Sequence, residues 1–119
     1  MALHITSGTI DEVLVVRLSG AILFGEELAS LGVLVKDLLN QNRQIVLDLS
    51  EVTRIDSGGL GTLVALYVSA RNVGGALKLA NPGNHAIEVL RITSLVTVFE
   101  IFDKTEDAIA SFKLATARA

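Results

Sequence analysis

The stretch Ile45–Val64, IVLDLSEVTRIDSGGLGTLV, decides how the rest of the chain is read. It opens on "IVLDLS", an almost unbroken apolar run of the kind found in a strand covered on both faces. It closes in a helical pattern, where Leu60, Leu63, Val64 and Tyr67 recur at three and four and supply a core face. Between the two lies Asp56–Gly61, an acid and a serine followed by Gly58, Gly59, Leu60 and Gly61. This segment reads as a loop, with Asp56 or Ser57 capping a helix that begins near Gly58. Each glycine costs ~0.5–1 kcal/mol relative to alanine inside a helix, so three in four positions need a reason. Close approach to the backbone is one.

Working outward, residues 3–7 (LHITS) and 13–18 (VLVVRL) are predicted strands, with Gly8–Glu12 turning between them. Ser19–Glu27 (SGAILFGEE) reads as a loop. A helix to about Asn40 follows, with Leu28, Leu31, Leu34, Val35 and Leu38 on its inner face. On the other side, the helix from Leu60 to about Val73 stops at Gly74 and Gly75, and "ALKLA" (76–80) is the next strand. "NPGN" (81–84) turns into a short helix that points Ile87, Leu90 and the stem of Arg91 inward. Residues 96–102 (VTVFEIF) read equally as a helical turn or an edge strand. "DKTE" (103–106) has capping-box spacing, and Ala108, Ile109 and Phe112 form the inner stripe of a last helix. The order is ββαβαβα(β)α, a single α/β domain over 1–119 with a mixed sheet.

Composition supports one well-filled core. Of 119 residues, 50% are apolar and 19% charged, so the chain has the make-up of a globular domain. The net charge of −3 comes without any Lys/Arg run; Lys36, Arg43, Arg54, Arg71 and Arg91 stand singly, which argues against nucleic acid as a partner. There is no cysteine, hence no disulfide or thiolate metal site. No signal-peptide pattern or membrane-spanning run is present, and a cytoplasmic protein without membrane insertion is expected.

The glycine cluster fits no catalytic signature. A phosphate-binding G-x-x-x-x-G-K-[ST] loop and a G-x-G-x-x-G fingerprint are both missing, and Asp56 would repel an anion held on the helix N-terminus. The strand-to-helix turn matches a nucleophile elbow in topology, but Ile55 stands where G-x-S-x-G needs glycine. His4 and His85 are the only histidines, and no metal-ligand spacing exists. No catalytic residue, metal or cofactor is expected. A second stripe of small residues on the glycine-led helix, Thr62, Ala65 and Ser69, reads as either a docking face or an ordinary solvated one. Phe24, in the apolar "AILFGEEL" stretch, reads as either an exposed anchor or a core residue.

With these motifs in place, "IVLDLSEVTRIDSGGLGTLVALYVSARNVGGALKLANP" resembles the central segment of the STAS domain, the family of bacterial anti-sigma factor antagonists. The likeness extends through "VVRLSGAILFGEE" and "RITSLVTVFEIFDKTEDAIASF". It implies a mixed four- to five-stranded sheet with about four helices, mainly on one face, and no enzymatic activity. It also implies partner switching: binding of an ATP-dependent serine-kinase anti-sigma factor, release of a sigma factor, and reset by a phosphatase. The family loop reads Asp-Ser-Ser-Gly, with the second serine the usual phosphoacceptor. Here that position is Gly58, which cannot be phosphorylated. Ser57 matches the first serine and is the candidate acceptor; Asp56 matches the acid that helps place the loop for the kinase. The partner-binding loop is expected at Asp56, Ser57, Gly58, Gly59, Leu60 and Gly61, with Phe24, Thr62, Ala65 and Ser69 as further surface, on a monomer or weak dimer. The alternative is a non-phosphorylatable scaffold in a signalling assembly or lipid-transport complex.

Overall fold

The computed structural model describes residues 3–118, with side chains through Lys113. Five strands form one sheet in the order β1-β2-β3-β4-β5, where β1 spans Leu3–Ile10, β2 Val13–Ile22, β3 Gln44–Ile55, β4 Ala76–Ala80 and β5 Ile101–Phe102. β1 runs antiparallel to β2, and the remaining neighbours are parallel. The helices are α1 (Glu26–Leu39), α2 (Ser57–Asn72), α3 (Asn84–Ile92) and α4 (Thr105–Arg118). This is the mixed sheet with four helices that the sequence implies.

Period-two alternation explains the two layers of core. Leu14, Val16 and Leu18 of β2 and Ile45, Leu47 and Leu49 of β3 join the inner stripes of α1, α2 and α3 in one buried cluster. The intervening Val13, Val15 and Val46 face the other way, against Ala108, Ile109 and Phe112 of α4. The central strands are therefore apolar on both faces because both faces are covered. Lys78 secures α4 from below: its side chain is 8% exposed, donates to Ser111 Oγ at 2.7 Å and pairs with Glu100 at 3.1 Å. Its ammonium also stands 4.1 Å from the centre of the Phe112 ring.

Several boundaries differ from expectation. β1 continues to Ile10, so the turn is only Asp11–Glu12, both at positive φ (52° and 68°). "TSGT" looks like turn chemistry but is an exposed edge strand, where polar residues face solvent. β2 runs through Ser19–Ile22, read above as loop, because Ala21 and Ile22 remain buried; the bulge beside Gly20 (φ 103°) disguises the alternation. Leu34 and Leu38 are only partly buried, and Leu39 takes the inner position at the end of α1. Arg91 is exposed; Ala86 and Leu90 are the buried residues of α3. Residues 95–102 contain both alternatives in succession, a single 3-10 turn at Leu95–Thr97 and then β5. The end of α2 is as expected, with Gly74 at φ 78° and the Gly75 amide bonded to the Ala70 carbonyl.

Candidate functional site

The segment joining β3 to α2 is built around one carboxylate. Asp56 is the N-cap of α2, with extended backbone (φ −98°, ψ −177°), and its Oδ1 accepts the Gly59 amide at 2.8 Å. Both carboxylate oxygens also accept the amide of Phe24, at 3.2 and 3.1 Å. The Asp56 amide in turn donates to the Ile22 carbonyl at 3.3 Å. One side chain thus ties the β2–α1 connection to the N-terminus of α2. These amides favour the ionised form and hold the Asp56 carboxyl below its ordinary range, with the Gly59 bond the largest cause, the Phe24 bond next and Arg54 adding a little.

The cluster is the first turn of α2 rather than a loop, since Ser57–Gly61 are already helical and only Asp56 lies outside. Its glycines have three different explanations. A Cβ on Gly59 would run into the carbonyl oxygen of Ile22, so the helix could not approach β2 this closely. A Cβ on Gly58 would lie 2.7 Å from the Phe24 Cβ and 3.2 Å from its Cα. Gly61 meets nothing: a Cβ there would have no neighbour within 4 Å. The fold itself therefore requires glycine at 59, whereas a side chain at 58 would displace the exposed Phe24 and one at 61 would fit.

The side chain that Gly58 makes room for is itself exposed. Phe24 is 84% accessible, the largest exposure among the described large hydrophobic residues. Gly25, at φ 148°, lets the chain leave Phe24 outward and turn at once into α1. Ser57 is exposed at the first position of α2, and the outer ridge continues through Gly61, Ala65 and Val68 (46% accessible) at helical spacing. This corrects the expected stripe in part: Ala65 is exposed, whereas Thr62 and Ser69 are half-buried on its flank, and Leu60 packs partly against the core. Counting in fours from Ser57 reaches Gly61 and Ala65, and a step of three then reaches Val68, which sequence reasoning passed over because valine reads as core. No charged residue interrupts the ridge before Arg71.

The remaining candidates for chemistry are otherwise engaged or scattered. His85, at the start of α3, accepts the Ile55 amide on Nε2 at 3.2 Å, so this nitrogen serves to hold α3 to the end of β3. His4 lies on the edge strand. Among the described residues no three His, Asp or Glu side chains converge as metal ligands, and no helix is long and apolar enough to cross a membrane. What the site offers is a surface held by the Asp56 carboxylate, with an uncharged ridge on α2, one serine and one protruding aromatic ring.

Comparison with known proteins agrees with this architecture. The STAS domain family model matches residues 4–108, and the chain belongs to that family. An anti-sigma-B factor antagonist of Bacillus subtilis is 32% identical over 72 residues, 60% of this chain and 66% of that protein. The structure of the Bacillus cell fate determinant SpoIIAA in its phosphorylated form superposes with a TM-score of 0.70 at 19% identity, covering 93% of this chain and 99% of that one. A sulfate transporter family protein from Wolinella succinogenes gives a TM-score of 0.74 at 18% identity, covering 92% of each chain. At such identities the two structures show a shared fold.

Proposed function

We propose that this chain is a cytoplasmic anti-sigma factor antagonist, which binds a serine-kinase anti-sigma factor through Phe24 and the Ser57–Val68 ridge and so frees a sigma factor. It carries out no chemistry of its own. The observation that carries the reading is the clamped Phe24: Asp56 fixes its backbone amide, Gly58 seats its Cβ, and yet the ring lies in solvent. An exposed aromatic side chain anchored through its backbone beside an uncharged ridge is the anatomy of a binding hot spot. The name of the Bacillus subtilis relative supplies the class of partner.

Ser57 is the proposed phosphoacceptor. It is exposed at the N-terminus of α2, and the likeness to a phosphorylated SpoIIAA supports a modification in this fold. Phosphate there adds about −1.5 to −2 charges. The helix dipole favours it by ~0.3–1 kcal/mol, while the neighbouring Asp56 opposes it by ~1–4 kcal/mol between water and protein-surface conditions. In the free protein, where solvent keeps the repulsion at its lower limit, Asp56 outweighs the dipole only modestly, and the imbalance grows once a partner removes solvent. A penalty of ~3 kcal/mol weakens binding about a hundredfold. The modification therefore acts on the interface and leaves the fold in place, and a kinase-dependent gain of one phosphate, absent from Ser57→Ala, is the expected mass-spectrometric result.

A second reading has its own observation. With Gly58 held under Phe24, the chain lacks the usual acceptor, which suits an unswitched scaffold or transport-complex subunit; the sulfate transporter family structure shows the fold in another setting. Adding the protein to a preformed complex of sigma factor and cognate anti-sigma factor separates the two readings. The antagonist releases free sigma factor in proportion to its concentration; a scaffold releases none.

A further inference from the structure

We propose that the outer edge of β1 is a self-association surface, on which a second copy of this chain lays its own β1 antiparallel to make one continuous sheet across a two-fold axis. This inference is independent of the anti-sigma reading. It starts from which way the strand's amides point.

Two observations settle that direction. The Leu3 amide donates to Glu27 Oε2 at 2.9 Å, so it points away from β2. At the other end, Ile10 and Val13 close a two-residue turn whose residues, Asp11 and Glu12, have φ of 52° and 68°. In such a turn the closing pair is hydrogen-bonded, which points Ile10 toward β2. Because direction alternates along an antiparallel strand, both observations agree: His4, Thr6, Gly8 and Ile10 bond inward, and Ile5, Ser7 and Thr9 present their N–H and C=O groups outward. β1 is the terminal strand of the sheet, and residues 6–10 are exposed.

Edge strands normally carry devices against pairing, such as lysine, proline or inward charge. Leu3–Ile10, LHITSGTI, has no Lys, Arg, Asp, Glu or Pro. Its occupant can be chosen by register. Placing the two-fold axis at Ser7 sets Ser7 opposite the second Ser7 and Ile5 opposite Thr9, so every outward residue meets an outward residue. Each of these pairs exchanges two main-chain bonds, and the β-branched Ile5–Thr9 pairs lie directly across from each other. The strand opposes no like charges with itself. The same register brings the acidic Asp11–Glu12 tip of one copy to the end of the other where Glu27 sits on the Leu3 amide, a like-charge approach made twice by symmetry that weakens the dimer and is screened by salt. Glu27 occupies the Leu3 amide and ends the free edge there. One strand edge buries less than the ~1,200–2,000 Å² of a stable interface, so the dimer is weak and concentration-dependent.

Sedimentation velocity and amide hydrogen exchange on the whole chain, from micromolar to millimolar concentration, test this. The expected result is a dimer that dissociates on dilution, with the Ile5, Ser7 and Thr9 amides gaining protection on concentration while Thr6 and Gly8 are protected throughout. Ser7→Pro removes an outward N–H without breaking the β1–β2 ladder and is expected to weaken dimerisation at least tenfold with an unchanged circular dichroism spectrum. Should that variant fail to fold, Ser7→Lys, which opposes two like charges at the axis, carries the same expectation. A monomer at every concentration, a dimer with those three amides unprotected, or protection that arises only when a different protein is added would overturn the proposal.

Discussion

At the scale of the residue, three neighbouring glycines of α2 have opposite expected behaviour. Gly59→Ala drives a methyl group into the Ile22 carbonyl and is expected to cost about 1–3 kcal/mol, as other overpacked sites do. Gly58→Ala meets Phe24 instead, on an exposed connection that can give, so its cost is smaller and its main effect is to displace Phe24. Gly61→Ala has open space and gains ~0.5–1 kcal/mol from helix propensity. Urea unfolding of the three variants checks the order; a Gly61→Ala protein less stable than wild type would contradict it. Asp56 adds a pH dependence. Its carboxyl is held low chiefly by the Gly59 and Phe24 amides, so folding favours the ionised form. That contribution is fully present above the unfolded carboxyl value near ~3.9 and is lost as pH falls through the lower folded value. The melting-temperature gap between wild type and Asp56→Asn is therefore expected to be open at neutral pH and to close in acid.

At the scale of the element, the β1–β2 hairpin carries a turn that its residues do not favour. Asp11 and Glu12 both sit at positive φ, where Asn-Gly is the preferred pair. Replacing them with Asn-Gly is expected to stabilise the protein by ~0.5–1 kcal/mol in thermal or urea unfolding, less the loss of the exposed Asp11–Lys113 pair. The same turn shows why strand ends were hard to read. Their type came from the nearly unbroken apolar runs of Val13–Leu18 and Ile45–Leu49, which the two-sided core explains. Their ends depended on backbone features that sequence does not announce: a two-residue turn without glycine, and a bulge at Gly20 that hides four further residues of β2. The Asp56 cap was legible because its acid-to-amide spacing is local. Its second bond, to Phe24, joins residues 32 apart and could only come from the fold. Legibility of the site divides the same way, since Ser57 and the glycines announce themselves, while the exposure of Phe24 and Val68 depends on how α1 and α2 pack.

At the scale of the whole molecule, the sheet with α1, α2 and α3 on one face and α4 on the other holds the ends of β2 and β3 together, so that Phe24 and Ser57 share one surface. That rigidity lets binding be altered without altering the fold. Ser57→Asp is accordingly expected to weaken the partner complex by about tenfold or more while leaving the melting temperature nearly unchanged. Stability and affinity should separate in the same way for the protruding ring, because Phe24 contributes little to the core. The measurement that tests the central claim most directly is a calorimetric titration of the cognate ATP-bound anti-sigma factor with wild type and Phe24→Ala. Loss of ~2 kcal/mol or more of binding, about thirtyfold, at an unchanged melting temperature is the predicted result. Equal affinity of the two proteins, or no binding by wild type, would contradict the account.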